Sequence, residues 1–239
     1  MSILRTFLTQ NFCCAVVSQQ PARRLGILGG TFDPVHLGHF AVAQAALDSL
    51  VLDQVLFIPS FKPPHKTERA ITPFAQRLAM LKLALAGHPA FQVSDLEGER
   101  QDFSYTIDTL QELRKRLGGE TTLYFLMGFD AFVEMATWKQ YRDIPRFADI
   151  VVINRPHSQH GTMALAVQDV FGIQGGIFQK EEGQWQLTTG GLIHELVMDE
   201  VPVSSSAIRQ ALSAGEDVTA MLHPMVSSYI KENSLYVTG

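Results

Sequence analysis

Short apolar runs alternate with amphipathic stretches of helical length from Arg24 onward, and few folds accommodate that alternation. The runs "LGILGG", "QVLFIPS", "AFQVSD", "TTLYFLMG" and "ADIVVINRP" have the length and side chains of buried strands. Between them, "FAVAQAALDSL" (Phe40 to Leu50) is rich in Ala and Leu. "TPFAQRLAMLKLALAG" carries a threonine cap, a first-turn proline and a terminal Gly87. "SYTIDTLQELRKRLG" keeps its charges on one face. Strands separated by helices line up in parallel, with helices on both faces and ligands at the carboxyl ends of the strands. The pattern therefore predicts an α/β protein with a doubly wound parallel sheet. "KPPHK" is a loop, because two prolines forbid regular structure there. Residues 157–196, rich in Gly and Gln with little periodicity until "ELVMDEV", read as a variable loop or short hairpins. "SSSAIRQALSAG" and "HPMVSSYIKENSLY" are expected to be the last two helices.

The 239 residues suffice for one such domain with a real core. The formal net charge of −5 argues against non-specific nucleic-acid binding, which needs a basic surface, but leaves room for a local anion pocket. The cysteines are the neighbours Cys13 and Cys14, a spacing that suits neither a zinc site nor a disulfide scaffold and accords with a reducing, cytoplasmic compartment. No apolar run reaches the length of a membrane-spanning helix. The first 24 residues carry three arginines and no acid, loosely like a targeting segment. Thr9, Gln10 and Asn11 interrupt their apolar part. We read residues 1–24 as an extension outside the core and 25–239 as a single domain. The sequence leaves assembly into a homo-oligomer open.

The stretch "GILGGTFDPVHLGHF" carries the chemistry. Gly29 and Gly30 end a strand and allow a ligand close approach to the backbone. The following helix points its free N–H groups back at that turn, which makes an anion site. His36 and His39, three residues apart, share a face there and can donate to phosphate oxygens. No Gly-Lys-Ser/Thr follows, so this is not a P-loop. Thr31 follows the glycine pair, so no G-x-G-x-x-G fingerprint is completed. A third zinc ligand is missing nearby. The remaining alternative is a pair of histidines that cap and pack a helix start. His157 and His160 repeat the spacing without the glycine turn, and we read them as loop histidines.

These residues resemble a known signature. "GGTFDPVHLGH" is similar to the (T/H)xGH motif of nucleotidyltransferases, in the long form found in nicotinate-mononucleotide adenylyltransferases. "PSFKPPHK", "SYTIDTL", "MGFDAFVEMATWKQY", "NRP" and "VSSSAIR" resemble further segments of that family, in the expected order from Leu25 nearly to the C-terminus. Val203 and Ser206 stand where the family pattern more often has Ile and Thr.

The resemblance implies a Rossmann-like fold of the HxGH nucleotidyltransferase type with a small C-terminal helical portion. It also implies transfer of adenylyl from ATP to nicotinate mononucleotide in NAD biosynthesis. His39 would act at the transition state, with His36 beside it on the ATP phosphates and Arg209 as the third catalytic group. Gly29, Gly30, Thr31, Phe32, Gly128, Asp130, Ser204, Ser205 and Ser206 would complete the ATP site. Asp130 would bind a ribose hydroxyl or cap a helix. Lys66, Tyr105, Thr106, Trp138 and Lys139 would hold the nicotinate nucleotide, with Trp138 stacked on its ring. Lys62 and His65 share the loop with Lys66. Mg²⁺ would accompany ATP without an assigned protein ligand. The rival expectations are nicotinamide mononucleotide or phosphopantetheine as acceptor, or a nucleotide sensor that does not turn over.

Overall fold

The computed structural model describes residues 23–64, 71–154, 162–172, 177–199 and 201–237. Strand β1 (Arg24–Gly30) leads to helix α1 (Leu37–Ser49), β2 (Gln54–Pro59), α2 (Phe74–Leu85) and β3 (Phe91–Val93). A short α3 (Leu96–Arg100) and the longer α4 (Thr106–Leu117) precede β4 (Thr122–Gly128). Then come α5 (Phe129–Val133), two 3₁₀ turns spanning Glu134–Thr137 and Tyr141–Arg146, and β5 (Asp149–Asn154). The chain continues through α6 (Met163–Phe171), β6 (Ile177–Glu181), β7 (Gln184–Leu187) and β8 (Leu192–Val197), and ends in α7 (Ser205–Ser213) and α8 (Pro224–Glu232).

One sheet takes all eight strands in the order β3-β2-β1-β4-β5-β8-β7-β6. From β3 to β8 neighbours are parallel, as expected of strands joined through helices. The expected doubly wound parallel sheet is extended at one edge, where β7 and β6 run antiparallel. Gly183 at φ +72, and Gly190 and Gly191 at φ +98 and +83, turn the chain tightly there, so successive strands meet directly. Alternate side chains serve opposite faces: Leu123, Phe125 and Met127 of β4 join one core with α4, α5 and α6, whereas Tyr124 and Leu126 join the other with α1, α2, α7 and α8.

Of the variable loop or short hairpins expected over 157–196, the hairpins form as β6, β7 and β8, and the correction lies in a helix and an inner strand. Helix α6 buries Met163, Ala166, Val167, Val170 and Phe171, and β8 is an inner strand pairing β5. The final helix stops at Glu232, short of the expected Tyr236, and Ser234 and Tyr236 adopt positive φ beyond it. His65, Lys66, His157, His160, Cys13 and Cys14 lie outside the described residues.

The chain leaves β1 toward β2 on one side, whereas β4 lies on its other side. That reversal opens a crevice at the carboxyl ends of β1 and β4, the usual ligand position in such sheets. Gly29, Gly30 and Gly128 end the two strands there. A side chain at Gly29 would meet nothing nearer than Phe125 Cε2 at 3.8 Å, and one at Gly128 would meet nothing within 4 Å. Internal packing therefore does not demand glycine at positions 29 and 128.

Candidate active site

The loop leaving β1 folds back on itself before α1 begins. Phe32, at φ +49 and fully buried, places its ring beneath Gly30, where a Cβ would lie 3.2 Å from Phe32 Cζ. A side chain at Gly30 would thus crowd the Phe32 ring. The Phe32 ring also meets the edge of His39, with centroids 4.9 Å apart.

His36 is the N-cap of α1, in extended conformation. Its backbone N–H donates to His39 Nδ1 at 3.1 Å, and the two rings lie 3.8 Å apart. An Nδ1 that accepts a hydrogen bond leaves the ring proton of a neutral imidazole on Nε2, so His39 offers Nε2–H as its donor. A Cβ at Gly38 would lie 3.1 Å from His36 Nδ1 and 3.0 Å from Val203 Cγ1, so glycine there makes room for the His36 ring. Burial lowers the His36 pKa from about 6.5 to about 4, and among the described residues its Nδ1 has no hydrogen-bond partner. At neutral pH His36 is an uncharged imidazole packed behind His39, so it brings no positive charge to a phosphate.

His39 lines an open cleft of about 250 Å³ between the Thr31–Asp33 loop and the start of α7. Arg209 lines the same cleft. Its guanidinium donates to Asp33 O at 2.5 Å and to Ser206 Oγ at 2.9 Å. The three serines divide their work. Ser204 Oγ caps α7 by accepting from Ala207 N, Ser205 Oγ donates to Pro34 O, and Ser206 orients Arg209. The structure therefore brings His39, Arg209, Thr31, Phe32 and Ser204 to Ser206 together at one cleft, across a sequence separation of 176 residues between Asp33 and Arg209.

Three residues that sequence reasoning passed over hold this loop. Arg77 is 1% exposed and donates to Thr31 O at 2.7 Å and Thr72 O at 2.8 Å. Asp33, also buried, accepts at 2.7 Å from the hydroxyl of Tyr236. Burial pushes the Tyr236 phenol well above its ordinary range, so it remains a donor. The signal for Arg77 was present: a lone arginine inside the apolar stripe of "FAQRLAMLKLAL" needs buried acceptors.

The acceptor-side candidates gather around α4. Tyr105 is its N-cap and Thr106 its first residue. Half-buried Trp138 closes the first 3₁₀ turn, its ring edge-on to Phe125 with centroids 6.3 Å apart. Lys139 is engaged by Asp108, with Nζ–Oδ2 at 2.9 Å, and lies 4.8 Å over the Tyr105 ring. Gly128 caps α5 and Asp130 sits exposed in its first turn.

Comparison with known proteins places this arrangement. The cytidylyltransferase-like family model matches residues 27–211. A protein of Citrifermentans bemidjiense named "Probable nicotinate-nucleotide adenylyltransferase" is 39% identical over 216 residues, covering 90% of this chain and 98% of that one. A protein of a Thermoanaerobacter species bearing the same name is 35% identical, covering 89% of this chain and 94% of that one. The chain belongs to the nicotinate-nucleotide adenylyltransferase family. The fold agrees with the Plasmodium falciparum nicotinic acid mononucleotide adenylyltransferase complexed with NaAD, at a TM-score of 0.69 and 18% identity over 90% of this chain and 97% of that one.

For a nicotinate-nucleotide adenylyltransferase the donor set matters as much as the fold. Among the described residues no group of three or more His, Cys, Asp or Glu is disposed to hold a metal ion. The cleft offers imidazole, hydroxyl and guanidinium donors, which suit phosphate oxygens rather than a divalent cation. No helix among the described residues is long and apolar enough to cross a membrane.

Proposed function

We propose that this chain transfers the adenylyl group of ATP to nicotinate mononucleotide, releasing pyrophosphate and forming nicotinate adenine dinucleotide. The observation that carries the reading is the convergence of His39 and Arg209 on one cleft beside the Gly-Gly strand end and the start of α1. An oxygen of the acceptor's 5′-phosphate attacks the α-phosphorus of ATP in line. The bond from that phosphorus to the oxygen bridging to the β-phosphate breaks, and pyrophosphate leaves with the electron pair. The nucleophile is already an anion, so the chain supplies position and charge stabilisation and no covalent intermediate.

The N–H groups of the first turn of α1 meet the phosphates as a partial positive charge. His39 Nε2–H donates to an α-phosphoryl oxygen whose charge changes as the bonds exchange. Arg209, already fixed by Asp33 O and Ser206, faces the departing phosphates as the permanent cation of the cleft. His36 orients His39 through its own backbone N–H. Mg²⁺ enters as part of the ATP substrate, bound by phosphates and water. The N-terminus of α4 with Tyr105, Thr106 and Trp138 receives the nicotinate nucleotide, and Lys66 binds its phosphate side. Residues 25–239 work as one catalytic unit, in the cytoplasm.

Pyrophosphate release tests the reading. We expect release with ATP plus nicotinate mononucleotide, and at least about tenfold lower kcat/KM with nicotinamide mononucleotide or phosphopantetheine. Absence of release with nicotinate mononucleotide overturns the proposal, and a preference for either other acceptor reassigns the substrate.

A further inference from the structure

The cleft at α7 and the acceptor region at α4 are built on different loops, yet one buried side chain is tied to both, to the first directly and to the second through Phe61 and Ser104. Arg77 donates to Thr31 O in the loop after β1 and to Thr72 O at the start of α2. Its third contact is a long hydrogen bond of 3.5 Å to Phe61 O, in the loop after β2. The guanidinium also lies 5.5 Å over the Phe74 ring, which meets Phe61 edge-on at 5.4 Å. The Phe61 end is anchored in turn. Ser104 Oγ accepts from Phe61 N at 2.8 Å and from Lys62 N at 3.2 Å, and Ser104 N donates to Lys62 O. Ser104 directly precedes Tyr105, the cap of α4.

A continuous frame therefore runs from the adenylyl-side loop through Arg77, Phe61 and Ser104 to the acceptor-side helix. Its centre is a cation 1% exposed whose hydrogen bonds go to carbonyls. The nearby carboxylates of Asp33 and Glu97 favour its charge, but desolvation by burial outweighs them, and an apolar side chain would fill the volume more cheaply. What an apolar side chain cannot do is hold three separate backbone segments with one rigid fork.

We propose that Arg77 is a positioning residue that fixes the separation of the two nucleotide loops, and with it the distance from the attacking phosphate to the α-phosphorus. This rests on the two-substrate reading above. In-line attack is sensitive to about 1 Å of misplacement, which costs roughly 10²-fold in rate. Each loop still binds its own nucleotide when the frame loosens, so the loss falls on kcat.

Arg77→Lys keeps the charge and loses the fork. We expect kcat to fall at least about tenfold, with KM for ATP and for nicotinate mononucleotide each within about threefold of wild type. Ser104→Ala loosens the same frame from its far end without disturbing the buried cation, and serves if Arg77→Lys does not fold. It should show the same split, with a cooperative melt near that of wild type. Because both residues act through one frame, the double variant should have the kcat of the weaker single variant within about twofold. The proposal is overturned if a folded Arg77→Lys or Ser104→Ala retains kcat within about twofold of wild type. It is equally overturned if the loss appears only as raised KM, or if the two effects multiply. Absence of turnover in the wild type would overturn the substrate reading, a distinguishable result.

Discussion

His36 and His39 have the same side chain in the same motif, and their surroundings give them different tasks. His39 lines the cleft with its Nδ1 tied to a backbone N–H, whereas His36 is 8% exposed behind it. On the mechanism proposed above, replacing His39 by Ala would remove one donor to the reacting phosphoryl group, and comparable losses cost about 10²–10³-fold in kcat. ATP affinity, measured by equilibrium titration, should change less than about fivefold, because α1 and Arg209 still hold the phosphates. His36 is read out by stability instead. Its folded pKa of about 4 lies below the unfolded value near 6.5, so the unfolded chain binds the proton first as pH falls. Its contribution is complete above pH 6.5 and is lost between pH 6.5 and 4, a loss of about 3 kcal/mol. His36→Asn should flatten the denaturant-derived stability over that window relative to wild type, and an unchanged slope would refute the assignment. The histidine pair was legible in the sequence because strand, glycine turn and helix start are contiguous. Arg77 to Thr31 and Tyr236 to Asp33 join residues 46 and 203 positions apart, so the ties that hold the cleft loop were not legible.

Among the elements, those built from uninterrupted apolar runs were legible. β1, β2, β4 and β5 fall where the runs place them, since each is buried on both faces. β8 was obscured because "LIHELV" places His194 and Glu195 in its middle. The sheet accommodates both: His194 is buried 3.8 Å from Asp149 Oδ2, and half-buried Glu195 accepts from Asn154 Nδ2 at 2.7 Å. α3, α5 and the 3₁₀ turns around Trp138 are too short to impose a period. The placement of β8 has a thermodynamic consequence. Ile193 is fully buried and pairs with Ile150 on one side and Trp185 on the other. Ile193→Ala should destabilise the protein by about 2–5 kcal/mol in chemical denaturation, as truncation in a packed core does. In a surface loop the same change would cost under about 0.5 kcal/mol. A result in that lower range would remove β8 from the core.

At the scale of the whole molecule, the order in which the chain winds through the sheet reverses between the parallel neighbours β1 and β4, and the loop after β1 rises from that line. The antiparallel edge of β7 and β6 lies at the far end of the sheet and leaves this line undisturbed. The crevice was legible in the alternation of strands and helices. The frame through Arg77 was not, because it depends on how three loops meet above the strand ends. Two loops held at a fixed separation should recognise a ligand that spans both better than either half. The product dinucleotide is such a ligand, since on the proposed reading its adenylyl part would occupy the α1–α7 cleft while its nicotinate part would reach α4. A ligand at 100 times its Kd stabilises the fold by about 2.7 kcal/mol. For a domain of this size that corresponds to a rise in Tm of about 5–10 °C. Nicotinate adenine dinucleotide should reach that shift at a concentration where ATP without acceptor, or nicotinate mononucleotide alone, gives less than half of it. Differential scanning calorimetry decides the point. Equal shifts from ATP and the dinucleotide would mean that the acceptor half adds no binding, and the joint site at β1 and β4 would have to be abandoned.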